Sequence, residues 1–133
     1  MELTSNNHSV FNIHFHLILV IKYRRTVINN SISDRLKEIF EYIGKYYHIK
    51  IEEWNHDINH AHILFNTQSK SNVSKFINAY KSASSRLIKK ENPSIRNKLF
   101  KEFFWSQSFC LLSTEGAPLT IIKKYIESQG EKS

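Results

Sequence analysis

The 133 residues suit one domain, expected to span 1–133, and a hydrophobic fraction of 41% with 23% charged residues excludes a disordered chain. One cysteine, Cys110, excludes an intramolecular disulfide and a cysteine-based zinc site. Nineteen Lys and Arg against twelve Asp and Glu give a net charge of +7, which points to a polyanionic partner, nucleic acid before a membrane surface.

The longest apolar run, Leu17 to Ile21, is far too short for a membrane span. The polar start, Met1 to His8, has no signal-peptide core, so a cytoplasmic location is expected. With three glycines and two prolines, the chain has no evident hinge between domains.

Residues 10–21 alternate with the period of a strand. Phe11, Ile13, Phe15, Leu17, Leu19 and Ile21 make one apolar face, and Val10, Asn12, His14, His16, Ile18 and Val20 make a mixed one. The basic loop Lys22-Tyr23-Arg24-Arg25 follows. Ile32, Leu36, Ile39, Phe40 and Ile43 recur at helical spacing over 32–47, with Ser31 as N-cap. Short strands are expected over 48–54 and 60–66. A second helix over 72–89 carries the stripe Val73, Phe76, Ile77, Tyr80 and Leu87.

Residues 90–101 are charged and show no clear period. A strand over 109–114, a turn at Gly116 and a last helix from Pro118 to about Gln129 complete the chain. The order β-α-β-β-α-β-α matches an α+β, ferredoxin-like βαββαβ arrangement, an antiparallel sheet with helices on one face, plus an extra C-terminal helix.

His60-Ala61-His62 places two imidazoles on one strand face, about 7 Å apart, where they suit one divalent metal. His14-Phe15-His16 has the same form, so spacing alone does not choose between the pairs. If the first and third strands are neighbours, all four histidines share a face. On the last helix Tyr125 and Gln129 are four residues apart and share a face. A tyrosine can act as a covalent nucleophile and an amide oxygen can ligate a metal. The same spacing equally suits a packing tyrosine.

Leu119, Ile122 and Ile126 form the stripe that would dock this helix. Cations concentrate at Lys22, Arg24 and Arg25 around Tyr23. A second group, Lys81, Arg86, Lys89 and Lys90, lies among Ser82, Ser84 and Ser85. Both suit phosphate contacts, and Tyr23 or Trp105 could stack on an unpaired base.

In this order the pieces resemble the single-tyrosine HUH (His-hydrophobic-His) transposases of the IS200/IS605 insertion sequences. The likeness runs from about His8 to Gln129. It is carried by His16-Leu17-Ile18 with Lys22 to Arg25, by Asn59-His60-Ala61-His62-Ile63-Leu64, and by Lys81 to Arg86. Trp105-Ser106, Gly116-Ala117-Pro118-Leu119 and Lys124-Tyr125-Ile126-Glu127-Ser128-Gln129 complete it.

The resemblance implies Tyr125 as nucleophile, His60, His62 and Gln129 as metal ligands, and Mg²⁺ or Mn²⁺ as the cation. Asp57 stands where some relatives have an acidic residue near the metal, and His16 where a supporting or DNA-contacting histidine is common. Lys22, Tyr23, Arg24, Arg25, Lys81, Ser85 and Arg86 are the implied DNA-binding residues.

The implied activity is metal-dependent cleavage and rejoining of single-stranded DNA at insertion-sequence ends through a 5′-phosphotyrosine. The implied assembly is a homodimer on DNA hairpins, with the tyrosine helix acting within its own chain or in the partner. Three departures bear on this: Asn59 replaces the usual aspartate, Ser82 replaces a common glycine, and four residues follow Gln129 where many relatives have a longer tail. They keep open an inactive or domesticated relative that binds hairpins without cutting. A ferredoxin-like RNA-binding module and a replication nickase with the same chemistry are further rivals.

Overall fold

The computed structural model describes residues 12–113 and 119–132, with side chains of the last helix described over 123–129. Four strands, β1 (Ile13–Val20), β2 (Ile49–His56), β3 (His60–Thr67) and β4 (Cys110–Ser113), form one sheet in the order β2-β3-β1-β4. Every neighbouring pair is antiparallel. Helices α1 (Asn30–Gly44) and α2 (Val73–Glu91) precede β2 and β4, and α3 (Leu119–Lys132) ends the chain. This is the expected ferredoxin-like α+β fold with its additional helix.

The alternation in β1 sorts its side chains. Leu17, Leu19 and Ile21 enter the main core with Ala61, Ile63 and Phe65 of β3 and the apolar stripes of α1 and α2. Phe40 of α1 is the hub. Its ring lies 4.8 Å from Phe76, 5.0 Å from Tyr80 and 6.0 Å from Phe65, centroid to centroid. Edge-to-face contacts of this kind add to area burial. The opposite face of β1 holds a second, smaller cluster, Ile18 and Val20, against which Cys110, Leu112, Tyr125 and Ile126 pack. The sheet is therefore covered on both faces, by α1 and α2 on one side and by α3 on the other.

Several local expectations are corrected. Helix α1 begins two residues earlier than expected, and its N-cap is Asn29, whose Oδ1 accepts from the Ile32 amide at 2.8 Å, not Ser31. Val27 and Ile28 are buried, and the Ile28 amide donates to the Ile58 carbonyl. That contact draws the chain into the core just before Asn29 and sets the start of the helix. The α1 helix ends at Gly44, and 45–47 is a 3₁₀ turn leading to a left-handed His48 (φ 58°). Helix α2 runs to Glu91, and the unassigned stretch resolves into 3₁₀ turns at Pro93–Lys98 and Phe100–Glu102.

Strand β2 carries a bulge between Ile51 and Glu53. The expected Gly116 turn, Pro118 and the side chains of Leu119 and Ile122 lie outside the described residues. Among the described residues no helix is long and apolar enough to cross a membrane.

Candidate active site

The register of β1 against β3 pairs His14 with Asn66, His16 with Leu64, Ile18 with His62 and Val20 with His60. Directly opposed residues point to the same side of a sheet. All four histidines therefore share one face, and it is the face that α3 covers.

The structure separates the two His-x-His pairs. His14 Nδ1 lies 2.7 Å from Glu52 Oε2, which also accepts from Asn66 Nδ2. Glu52 sits at the bulge in β2, so His14 is held at the far end of the sheet. His16 instead meets the other pair, with its Nδ1 2.8 Å from His62 Nε2. His60 Nδ1 lies 2.9 Å from Asn59 Oδ1. A carbonyl oxygen can only accept, so Nδ1 carries the proton and Nε2 is left as the unprotonated, ligating nitrogen. Asn59 thus orients His60 as an aspartate would, without the charge.

Burial depresses the pKa of both His60 and His62. For His62 the neighbouring His16 and His60 push the same way, and Glu53 opposes. For His60, Asp57 opposes the burial effect, while His56 and Arg24 add to it. In both rings burial disfavours the charged form. Asp57 is exposed, and its carboxylate accepts from the Ile58 amide at 2.8 Å. It acts on His60 through charge.

Tyr125 packs on Ile18 and Val20, the cross-strand partners of His62 and His60. Burial raises its pKa, partly offset by a hydrogen bond with Ser108. Gln129, 5% exposed, comes down one helical turn later. Its Oε1 accepts from Ser106 Oγ and, at 3.4 Å, from Ser108 Oγ. Tyr125 Oη lies 3.2 Å from Ser108 Oγ. One loop therefore touches both Tyr125 and Gln129.

Among the described residues, no three His, Cys, Asp or Glu side chains cluster to hold a metal. Imidazole nitrogens and an amide oxygen are ligand types that a divalent cation accepts, and here His62 Nε2 meets His16 Nδ1 while Gln129 Oε1 meets the Ser106 and Ser108 hydroxyls.

The two basic segments adjoin the site differently. The 22–24 turn is pinned by Ile21 N to Asn59 O and Lys22 N to Phe104 O, both 2.9 Å. Tyr23 and Arg24 take left-handed conformations (φ 54° and 53°) that non-glycine residues rarely adopt. This twist leaves Arg24 and Arg25 exposed beside the His60 end of the sheet. Tyr23 is half-buried, edge-on to Phe100.

Lys81, Ser85 and Arg86 line a groove of about 610 Å³ together with Lys89, Arg96 and Phe103. Arg96 and Phe103 were not signalled by the sequence. Phe103 is 53% exposed, and Lys22 Nζ sits 5.1 Å from its ring, so the two cationic segments meet at this aromatic. Trp105 is not a stacking platform. It is 7% exposed and donates to Ser84 Oγ at 2.9 Å. Ser106 lines the same groove while donating to Gln129, which connects the groove to α3.

Comparison with known proteins identifies the family and the fold. The family model described as "Transposase IS200 like" matches residues 9–129. The ISDra2 transposase TnpA of Deinococcus radiodurans is 29% identical over 99% of this chain and 94% of its own length. The transposase for insertion sequence element IS200 of Salmonella typhimurium is 24% identical over 94% and 82%. A solved Deinococcus radiodurans R1 structure assigned as a transposase superposes with a TM-score of 0.83 at 24% identity, covering 96% of this chain and 98% of that one. A REP-associated tyrosine transposase bound to a REP hairpin shares the fold at a TM-score of 0.60 and 9% identity, over 94% and 69%. With nearly its whole length matched, this chain belongs to the IS200-like transposase family.

Proposed function

We propose that this transposase cleaves and rejoins single-stranded DNA, with Tyr125 as the nucleophile. The observation that carries the reading is the seating of Tyr125 on Ile18 and Val20, directly across β1 from His62 and His60.

His60, His62 and Gln129 are the residues that would hold a divalent cation, Mg²⁺ or Mn²⁺. Such a cation, when bound, supplies charge neutralisation to a phosphodiester. The Tyr125 oxygen attacks phosphorus, the bond to the 3′ oxygen breaks, and the phenolic proton is lost to solvent. The products are a 5′-phosphotyrosine and a 3′-hydroxyl. Attack by another 3′-hydroxyl reverses the exchange, joins the strands and frees Tyr125. One phosphodiester is broken and one is formed, so no external energy source is needed.

Lys22, Arg24 and Arg25 beside the site, with Tyr23, and Lys81, Ser85 and Arg86 in the groove supply phosphate contacts that position the strand. Hairpin ends as substrate and a homodimeric assembly follow the family resemblance. The packing of α3 on its own β1 favours a site completed within one chain.

The test is incubation with labelled single-stranded hairpin DNA from the gene's flanks, with Mn²⁺ or with EDTA. A metal-dependent covalent protein–DNA band on a denaturing gel supports the reading, and binding without any such band overturns it.

A further inference from the structure

Ser108 lies between two polar side chains of α3, Tyr125 and Gln129, and touches both. A serine hydroxyl has one hydrogen to give. The carbonyl oxygen of Gln129 can only accept, so Ser108 donates its hydrogen there, at 3.4 Å. The Ser108 hydroxyl also lies 3.2 Å from Tyr125 Oη, where either hydroxyl can donate. The contact lowers the Tyr125 pKa against the effect of burial and fixes where the phenolic oxygen sits.

Ser108 belongs to a short segment fixed independently of α3. Ser106 N donates to the Val20 carbonyl at 2.8 Å, Trp105 is anchored in the core through Ser84, and Lys81 Nζ holds the Gln107 carbonyl at 2.8 Å. A hydroxyl on so firmly held a segment can fix the rotation of the Tyr125 ring on α3.

We propose that Ser108 is a positioning residue that holds the Tyr125 hydroxyl for attack and keeps Tyr125 and Gln129 in step. This rests on the strand-cleavage reading above. Ser108 is exposed, so its substitution leaves the core intact.

The experiment uses the full chain, wild type, Ser108→Ala and Ser108→Thr, with saturating hairpin DNA and Mn²⁺. Ser108→Ala is expected to slow single-turnover adduct formation about 10-fold, a modest loss of orientation. DNA affinity should stay unchanged, and Ser108→Thr, which keeps the hydroxyl, should restore the rate. A second readout needs neither metal nor DNA. In protein labelled with ¹³C at the tyrosine Cζ, the Tyr125 resonance, assigned by its loss in Tyr125→Phe, should shift in Ser108→Ala and return in Ser108→Thr.

Equal rates in wild type and Ser108→Ala, or equal slowing by Ala and Thr, would overturn the proposal. If wild type forms no adduct at all, the cleavage reading fails, and the carbon shift then decides the Ser108–Tyr125 contact on its own.

Discussion

Ser84→Ala should destabilise this protein far more than a serine-to-alanine change in a helix normally does. Alanine is the better helix former, so propensity alone predicts a small gain. Ser84, however, is fully buried on α2, and its Oγ accepts from Trp105 Nε1 at 2.9 Å while donating to the Tyr80 carbonyl. That carbonyl is already positioned for the helical bond from the Ser84 amide, so it loses little. The indole N–H has no such reserve, and the space left by one oxygen is too small for a water.

An unsatisfied buried donor costs about 1–3 kcal/mol. For 133 residues at about 2.1 cal/mol/K each, the unfolding entropy is about 0.28 kcal/mol/K, so a loss of about 2 kcal/mol lowers Tm by about 7 °C. The assay is thermal unfolding of Ser84→Ala, Trp105→Phe and the double variant. In the Trp105→Phe background the donor is gone, and Ser84→Ala should then cost less than about 0.5 kcal/mol. An equal loss in both backgrounds would refute the reasoning, because the cost would then not come from the indole.

Three further outcomes are expected. Gly44→Ala places a Cβ 2.9 Å from the Ile49 carbonyl oxygen, a backbone atom that yields poorly. The overpacking should outweigh the gain in helix propensity by about 1 kcal/mol, seen as a Tm about 4 °C lower. Replacing Arg86 and Lys89 together by glutamine should make DNA binding less salt-dependent, with the slope of log K against log salt shallower by about 0.7 for each phosphate that is no longer neutralised. An unchanged slope would remove the groove from the DNA path. In the metal-free protein, NMR titration should find His60 and His62 protonating only below 6.5, the ordinary imidazole value, because burial disfavours the charged ring. Divalent-cation binding should accordingly persist at pH 6.5 and be lost only as pH falls through the lowered histidine values.

What could be read from the sequence is what short-range periodicity encodes. The alternation from Ile13 to Ile21 identifies β1 and both its faces, because a strand buried on two unlike surfaces must alternate. The i, i+4 spacing of Tyr125 and Gln129 correctly places both on one face of α3, since Ser108 touches both. The contacts that separate His14, held by Glu52, from His16, held against His62, were not legible from the period, because they depend on long-range strand pairing.

The same limit explains Trp105. Its partner Ser84 is 21 residues distant, and nothing local distinguishes a buried indole from a stacking one. Residues 93–102 show no period because their 3₁₀ turns are held by contacts such as Lys89 Nζ to Glu102 O. Arg96 and Phe103 were hidden with them. Nothing local marks Phe103 as the exposed member of the run Phe103-Phe104-Trp105, whose other two aromatics are buried.

The most direct test of the central claim is to digest the metal-dependent protein–DNA adduct and locate the nucleotide by mass spectrometry. The account predicts a phosphodiester to the 5′ end of the DNA on the peptide containing Tyr125, and no adduct from Tyr125→Phe. An adduct that survives in Tyr125→Phe, or a nucleotide on Tyr23, Tyr42 or any other residue, would contradict it.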